Sequence, residues 1–466
     1  MRRALLAIPL LLSLLACGGG GGAVKGPPAA QGGGPAPGPG PAPGGGGTGG
    51  ASPAASCQFT YDAAGKDRYP EGIRECYPKF PIPPPKKALL DRHIQLAQDH
   101  WSLVENSKVA ILRPGTLTAA QILGTRLEAP HPPQVAQVDL DQDSALGPIH
   151  YHLRAQPYAY RDGEAYVDFA NRQIGGGVMT RGFVQEEILM LETNFLPWVA
   201  ALKARGAKGV SFCPDVPLDS LDTQPVVIKL RRFLEVAHVH EIYGRKLVGA
   251  GPFDPARHLV PLATPVDIYM PAMAAPNYKR GSGGGGTGHG PKPGGFGHRI
   301  ETRGPRPGGR SHNPGSTIRK RGHKPGGPSR KPGGPGRHYT LAAIQDLMVL
   351  ATRAFYDTLM SQDQDGKPLV IHTGNWGCGA YGNSKRTIWV VQRVALEAAY
   401  RLFSQATGKA LDVTFHYDAF DRDSVRQANE ASNVFSTWPE GLTLRDYANR
   451  VIQKVQSDPA GWEAGR

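Results

Sequence analysis

Between residues 165 and 187 the chain reads AYVDFANRQIGGGVMTRGFVQEE, and its fold is best predicted from this stretch. The run at 165–169 is rich in β-branched and aromatic residues and predicts a strand. Three consecutive glycines at 175–177 suit neither a helix nor a strand, because glycine destabilises the interior of both. A helical pattern follows, so a helix is predicted to begin near Glu186. The stretch therefore predicts a strand, a glycine loop and a helix, in that order.

The glycine loop and the helix start together predict a site for a phosphate or a diphosphate. Glycines let the backbone approach a ligand closely and direct its N–H groups towards it. The positive end of the predicted helix lies at the same place. Glu186 and Glu187 would point about 100° apart on this helix, so we expect one to bind and the other to transfer a proton. Alternatively, both carboxylates only stabilise the helix dipole.

A second glycine-rich loop, TGNWGCGAYGN at 373–383, also lies between a predicted strand and a predicted helix. Residues 377–382 fit the pattern G-x-G-x-x-G, which binds dinucleotides in such a context. A dinucleotide fold also needs an acid about 20 residues further on, at a strand end. Glu397 lies within the helix and Asp412 is 30 residues beyond Gly382, so neither fits. The loop predicts a second diphosphate-binding segment rather than a nicotinamide site.

The rest of the chain alternates between strand-like and helix-like patterns. Further strands are predicted at 226–228, 266–270, 369–371 and 413–415. Helices are predicted at 187–203, 338–360 and 385–405, and an amphipathic helix at about 90–104 forms an N-terminal helical extension. Such alternation predicts an α/β protein with a sheet flanked by helices.

Composition separates two low-complexity segments from this body. Of the 466 residues, 61 are glycine and 43 are proline. Their combined share is well above the usual share of about 12%. Residues 18–56 are almost entirely Gly, Pro and Ala and predict a disordered tether. Residues 279–338 hold fourteen basic side chains and one acid, nearly all of the +14 net charge. They predict a disordered insertion that either contacts polyanions or is a solvated linker.

The N-terminus predicts export. Arg2 and Arg3 precede an apolar run at 4–16, which is too short to span a bilayer. The run ends in LLAC and resembles a bacterial lipobox, so residues 1–17 are interpreted as a lipoprotein signal with Cys17 as the lipidated residue; an ordinary secretory signal is the alternative. Cys57 and Cys76 lie close in sequence and could form a disulfide, because an exported chain meets oxidising conditions. The expected location is the bacterial cell envelope.

Together the two loops resemble the poly(ADP-ribose) glycohydrolase family. The resemblance rests on VDFAN at 167–171, GGG, seven residues, QEE, and the distant TGNWGCGAYG. It implies a macrodomain-like three-layer α/β/α core with a mixed sheet, formed by residues 57–278 and 339–466. It implies cleavage of the ribose–ribose O-glycosidic bond of poly(ADP-ribose), with release of ADP-ribose and no cofactor or metal. The expected partners are the polymer or an ADP-ribosylated protein, and a monomer is expected.

Site residues follow from the resemblance position by position. Glu187 resembles the acid/base catalyst, and Glu186 and Asn171 resemble the residues that hold the ribose hydroxyls, with Asp168 supporting them. Phe415 is expected to stack on adenine, and Tyr243 to close over the substrate. The remaining predicted substrate-binding residues are Gly175, Gly176, Gly177, Gln185, Gly377, Cys378, Gly379, Ala380 and Tyr381.

Two other classes remain as alternatives at this point. An ADP-ribose-binding module without turnover would keep both loops, although the intact Glu186 and Glu187 argue against it. A dinucleotide-dependent oxidoreductase is the other alternative, but this chain has no acid at the position where such an enzyme binds the ribose. The pairs His150/His152 and His238/His240 have the spacing of metal ligands on a strand, but no carboxylate or cysteine lies near them in sequence.

Overall fold

The structure is a computed structural model that describes most of the predicted body. The described residues are 55–60, 65–76, 81–105, 108–112, 117–127, 144–146, 148–172, 174–204, 220–249, 251–276, 339–379 and 381–463. All of them belong to one compact unit. The predicted signal and lipidation site, nearly all of the tether and the basic insertion lie outside this set, as does the side chain of Cys57, so its pairing with Cys76 stays a prediction.

Nine strands and fourteen helices occur among the described residues. The strands are β1 Ala55–Thr60, β2 Lys108–Leu112, β3 Ser144–Leu146, β4 Ile149–Arg154, β5 Ala165–Tyr166, β6 Val226–Val236, β7 Leu259–Ala272, β8 Val370–Thr373 and β9 Val413–Asp418. The helices are α1 Gly65–Glu75, α2 Pro84–Asp99, α3 Trp101–Glu105, α4 Ala119–Gly124, α5 Gln185–Glu192, α6 Phe195–Ala204, α7 Val239–Ile242, α8 Lys246–Gly249, α9 Pro255–His258, α10 Leu341–Gln364, α11 Lys385–Thr407, α12 Arg422–Phe435, α13 Leu444–Ser457 and α14 Pro459–Trp462. Within the described ranges, no helix is both long and apolar enough to cross a membrane.

The described strands form one mixed sheet in the order β1-β2-β6-β7-β5-β8-β9-β4-β3. The pairs β7/β5, β5/β8, β8/β9 and β9/β4 are parallel, and the outer pairs are antiparallel. Strands β5 and β8, which precede the two glycine loops, are direct neighbours, with Ala165 opposite Ile371. Because the carboxyl ends of parallel strands meet at one edge, both loops begin at the same edge of the sheet.

Each face of the sheet is covered by its own hydrophobic core. On one face Ile371 and Phe415 pack in a cluster with the long helices α10 and α11 and with α12 and α13. On the other face Tyr166, Ile268 and Met270 pack with α1, α2, α5 and α6. Successive strand residues point to opposite faces, so β5 alone contributes Ala165 to one cluster and Tyr166 to the other. The predicted α/β class, three layers around a mixed sheet, is confirmed.

One predicted helix is interrupted in the structure. The pattern at 187–203 predicts one continuous helix, whereas α5 ends at Glu192 and α6 starts at Phe195. The Asn194 backbone N–H donates to the Arg231 carbonyl at 2.9 Å, and the Asn194 amide oxygen accepts from the Arg231 N–H at 3.0 Å. These hydrogen bonds tie the chain to β6 and divert it from helical geometry.

Replacing Ile371 tests the role of the central strand. Ile371 is fully buried on β8, so Ile371→Ala is expected to lower the free energy of unfolding by about 2–5 kcal/mol through lost apolar burial and a residual cavity. Urea denaturation measures the change. The control Leu411→Ala, at an exposed position just before β9, is expected to stay within about 0.5 kcal/mol of the parent protein. Equal effects of both changes would contradict the assignment of β8 to the core.

Candidate active site

A cavity opens at the carboxyl ends of the three central parallel strands. Its volume is about 380 Å³. Phe169 follows β5, Asn375 follows β8, and Asp418 ends β9, so each of these strands supplies one wall. The cavity therefore lies where α/β sheets commonly bind ligands, beyond the carboxyl ends of the strands. Further lining residues include Tyr158, Tyr160, Gln185, Tyr243, Cys378, Gly379, Lys385 and Phe420.

Gln185 joins the end of β5 to the start of α5. Its amide oxygen accepts a hydrogen bond from the Phe169 N–H at 3.1 Å, and its amide nitrogen donates to the Val167 carbonyl at 3.0 Å. The side chain predicted to bind substrate is thus engaged with the protein backbone, while the residue still lines the cavity. This bridge fixes the position of the helix that carries the two glutamates.

The Glu187 carboxylate is held by two backbone N–H groups. The Gly177 N–H donates to Oε1 and the Val184 N–H donates to Oε2, both at 2.7 Å. Gly182 lies against the same carboxylate, because a Cβ there would come within 2.4 Å of Oε1. These hydrogen bonds fix the orientation of the carboxylate, and Glu187 lies in the first turn of α5.

Glu186 has a different environment, although it is the neighbouring residue. Its Oε2 accepts from the Asn171 N–H at 3.1 Å, whereas its buried Oε1 has no hydrogen-bond partner among the described residues. Burial raises the pKa of Glu186 well above its ordinary value, and the nearby Asp168 and Glu187 raise it further. The two glutamates are therefore unequal: backbone hydrogen bonds hold both oxygens of Glu187, whereas Glu186 retains a proton more readily than an ordinary glutamate does.

Asp168 completes a cluster of three carboxyl groups. It is fully buried, and neither carboxyl oxygen has a hydrogen-bond partner in the described part of the chain. Burial raises the pKa of Asp168 well above its ordinary value, and the charge of Glu187 adds to the effect. Because like charges in a dry site resist simultaneous ionisation, Asp168 and Glu186 hold a proton more readily than isolated carboxyl groups do. The described residues contain no group of three His, Cys, Asp or Glu side chains placed to hold a metal ion.

The glycine loop packs directly on this cluster. Gly175 and Gly176 have φ angles of +92° and +45°, which favour glycine. A Cβ at Gly176 would lie 2.2 Å from Glu186 Oε2 and 2.8 Å from Glu187 Oε1. The glycines thus bring the backbone close to the two carboxylates, and their predicted approach to a ligand stays a prediction.

The second loop is held in shape by side-chain amides. Asn375 donates to the Ala419 carbonyl at 2.7 Å, and Asn383 donates to the Pro276 carbonyl at 3.2 Å. Gly377 has a φ of +69°, and a Cβ there would lie 2.4 Å from the Asn383 amide nitrogen. Gly379 differs, because a Cβ added there would meet no described atom within 4 Å. Its backbone therefore faces open space at the cavity wall.

Two aromatic rings from distant segments meet at the edge of the cavity. The rings of Tyr243 and Phe420 are stacked, with centroids 5.2 Å apart. Burial raises the pKa of Tyr243, although a hydrogen bond from the Gln185 backbone opposes this effect. Phe420 has a φ of +66° and is 47% exposed, and such a strained conformation in a large residue often marks a functional position. Tyr243 thus lies at the cavity, and its closing over a substrate stays a prediction.

The structure corrects the prediction for Phe415. Its side chain is 0% exposed and packs edge-on against Tyr151 and Phe355 in the core under α11. Successive residues of β9 alternate between faces, and Phe415 takes the core face. It cannot stack on a ligand there. Phe420, five residues further on, does line the cavity.

The other predicted residues of the two loops do not all reach this cavity. Asn171 and Tyr381 line a neighbouring cavity of about 580 Å³. Ala380 lies outside the described residues. Cys378 lines the first cavity, and burial raises the pKa of its thiol far above the ordinary value. The two motifs are therefore brought together, but several of their residues line neither cavity: Asp168, Gly175, Gly176, Gly177, Glu186, Glu187 and Gly377.

Sequence reasoning missed two residues of the site. Phe420 carries a weak signal, an aromatic residue just after a strand that ends at the sheet edge. No sequence signal marks Lys86, which follows three prolines and lies far upstream of either motif. Its amine donates to the Gly182 carbonyl at 2.7 Å, which only the folded chain reveals.

Replacing Glu186 tests the raised pKa. Gln at position 186 keeps an oxygen to accept from the Asn171 N–H but carries no charge. The pKa of this carboxyl group is higher in the folded chain than the value of 4.5 for an unfolded one. The folded state therefore becomes less stable as the pH rises above 4.5, because ionisation favours the unfolded state. Glu186→Gln should therefore gain stability relative to the parent as the pH rises from 4.5 to 8. Denaturant unfolding at several pH values measures this.

Glu430→Gln serves as the control with the opposite sign. Burial raises the pKa of Glu430, but hydrogen bonds from Arg386 and Arg426 outweigh burial and lower it. Loss of this stabilising charge should leave the variant less stable than the parent at pH 8, with the difference shrinking as pH falls through the carboxyl range. If Glu186→Gln followed the same trend as Glu430→Gln, the assignment of a raised pKa to Glu186 would be wrong.

Comparison with solved structures returns poly(ADP-ribose) glycohydrolases from two bacteria. The enzyme from Thermomonospora curvata is 13% identical, with a TM-score of 0.31 over 80% of this chain and 100% of that one. The same enzyme bound to the inhibitor ADP-HPD is 15% identical, with a TM-score of 0.28 over 80% and 99%. The enzyme from Deinococcus radiodurans in complex with ADP-ribose is 15% identical, with a TM-score of 0.27 over 58% and 74%. No family model and no curated protein matches the chain. Likeness at these levels does not establish function, which depends on the chemistry of the site.

Proposed function

We propose that the protein is a glycohydrolase that cleaves ribose–ribose O-glycosidic bonds of poly(ADP-ribose) and releases ADP-ribose. The observation that carries this proposal is the meeting of the two motif loops at one sheet edge, above a buried carboxyl cluster. Backbone N–H groups of a glycine-rich loop suit a diphosphate, and the cluster supplies the proton-transfer groups that glycoside hydrolysis needs. A metal ion or cofactor is not required by this chemistry.

Glu187 is the proposed general acid and base. Each of its oxygens accepts one backbone hydrogen bond and keeps a second lone pair for a proton. In the proposed cycle Glu187 carries the proton that it donates. As the bond between the anomeric carbon and the ribose 2′ oxygen breaks, Glu187 protonates the departing oxygen. The same carboxylate then takes a proton from the water that attacks the anomeric carbon.

Glu186 has the proposed role of binding a ribose hydroxyl group. A neutral carboxyl group can donate one hydrogen bond and accept another, and burial with neighbouring acids favours this neutral form. Tyr243 and Phe420 would cover the ligand, and Gly377, Cys378 and Gly379 would lie along its diphosphate. This division gives each glutamate one function, although both belong to one turn of α5.

An ADP-ribose-binding module without turnover is the second candidate. It would use the same cavity. In such a module the two backbone hydrogen bonds to Glu187 would serve only to stabilise the loop. Incubation with poly(ADP-ribose) and detection of free ADP-ribose separates the two. Binding of ADP-ribose without release from the polymer would support the module and contradict the hydrolase.

We further propose that the protein acts as an exported lipoprotein, anchored to the membrane of the bacterial cell envelope through Cys17. The sequence of residues 1–17 supports this proposal, and the segment 18–56 would separate the enzyme from the membrane. The basic segment 279–338 would contact the polymer or another polyanion. Metabolic labelling with a fatty acid, compared between the parent and Cys17→Ala, tests the anchor.

Replacing Glu187 tests the catalytic role. Glu187→Gln is expected to lower kcat by at least about 100-fold, the low end for general acid–base catalysis, while the affinity for ADP-ribose in calorimetry changes little. Gln can accept only one of the two backbone hydrogen bonds, so a stability loss of about 1–3 kcal/mol is also expected. Activity is therefore measured well below the melting temperature. Parental kcat in this variant would contradict the proposed role.

Replacing Gly176 tests the fit of the loop on the carboxylates. Gly176→Ala places a Cβ against Glu186 and adds strain at a positive φ, so turnover should fall at least about tenfold. The control Gly249→Ala adds a Cβ where nothing lies within 4 Å and should leave turnover unchanged. Equal turnover in the two variants would show that the loop and the carboxylates are not closely packed in solution.

A further inference from the structure

Lys86 is a buried lysine for which the proposed reaction has no assigned role. It lies in the first turn of α2, and its side chain is 0% exposed. Lys87, the next residue, is exposed and forms an ion pair with Asp91 at 2.6 Å. A buried ammonium group is costly, and the positive end of a helix is an unfavourable place for it. The stability of α2 therefore gives no reason for a lysine at position 86.

The contacts of Lys86 are with the loop that holds Glu187. Its amine donates to the Gly182 carbonyl at 2.7 Å and lies 4.9 Å from the centre of the Phe183 ring. Both contacts restrain the segment that ends at Val184, and the Val184 N–H is one of the two donors to the Glu187 carboxylate. Lys86 is thus linked to Glu187 through one short segment of backbone.

Gly182 connects Lys86 to the second donor as well. A Cβ at Gly182 would lie 2.8 Å from the Gly177 Cα, so the two glycines are in direct contact. The Gly177 N–H donates the other hydrogen bond to Glu187. A shift of the Gly182 carbonyl would therefore move both N–H groups that hold the carboxylate.

Electrostatics links the same two side chains. Burial lowers the pKa of Lys86 to about 7, and Glu187 is the charged group that raises it. The Lys86 amine and the Glu187 carboxylate therefore interact electrostatically across the loop. Geometry and charge thus act on the same carboxylate from one side chain that does not line the cavity.

We propose that Lys86 is a positioning residue for Glu187, acting through the Gly182 carbonyl and the backbone donors of Gly177 and Val184. The proposal rests on the hydrolase function proposed above in assigning Glu187 to proton transfer. Lys86 touches neither the ligand cavity nor the reacting atoms. It sets the orientation of the carboxylate, and therefore the rate of the chemical step rather than the affinity for ADP-ribose.

The test compares Lys86→Met with the matched control Lys87→Met. Methionine keeps an unbranched, apolar side chain of similar length and removes the amine. We expect kcat on poly(ADP-ribose) to fall at least about tenfold in Lys86→Met, because displacement of a catalytic group by about 1 Å can cost about 100-fold. The Kd for ADP-ribose by calorimetry should stay within about threefold. Lys87→Met should match the parent in both quantities.

The split between kcat and Kd separates positioning from general stability. A role in stability alone would lower the melting temperature and weaken ADP-ribose binding, with kcat restored at lower temperature. That result, or a kcat equal to that of Lys87→Met, would overturn the proposal. If the parent protein binds ADP-ribose but releases none from the polymer, the hydrolase proposal fails, and a lysine titration still tests the link between Lys86 and Glu187.

This second measurement needs no variant at Lys86. Lysines labelled with ¹³C at Cε are titrated by NMR in the parent and in Glu187→Gln. One resonance should titrate near pH 7 in the parent and at lower pH in Glu187→Gln, because the charge of Glu187 raises this pKa. An unchanged midpoint would show that the two groups are not coupled and would overturn the proposal, even if Lys86→Met cannot be produced.

Discussion

Glu187 accepts hydrogen bonds from the backbone N–H groups of Gly177 and Val184, and the form of the whole site depends on this pair of contacts. They close the loop 177–184 onto the first turn of α5, so that the glycine loop, the carboxylates and the helix become one unit. Gln185 then attaches that unit to the end of β5. A carboxylate at this position is part of the fold as well as of the proposed chemistry.

The parallel centre of the sheet explains why two motifs separated by about 200 residues lie close together. Strands β5 and β8 are neighbours, and each loop leaves the same edge. The order of strand, glycine loop and helix could be predicted from local sequence, because glycine and apolar patterning are local properties. That β5 pairs with β8 could not, since pairing between distant strands depends on the packing of the entire sheet.

The errors in prediction have specific physical causes. Phe415 and Phe420 are both aromatic residues near the end of the last strand, and the face that each one takes depends on register and on where the strand stops. The break between α5 and α6 results from hydrogen bonds with Arg231 on β6, a partner far away in sequence. Lys86 contacts Gly182 across 96 residues. Each of these features depends on long-range contacts, which residue patterns do not encode.

Gly177 and Gly182 restrict each other during evolutionary divergence. Each would need to move if the other gained a side chain, and a side chain at Gly182 would also meet Glu187. As long as Glu187 keeps its two backbone hydrogen bonds, a change at one glycine cannot be compensated by a change at the other. In descendants that no longer need the carboxylate, both positions become free to change. Among related chains, joint retention of the two glycines would distinguish lineages under selection for turnover from lineages selected only for ligand binding.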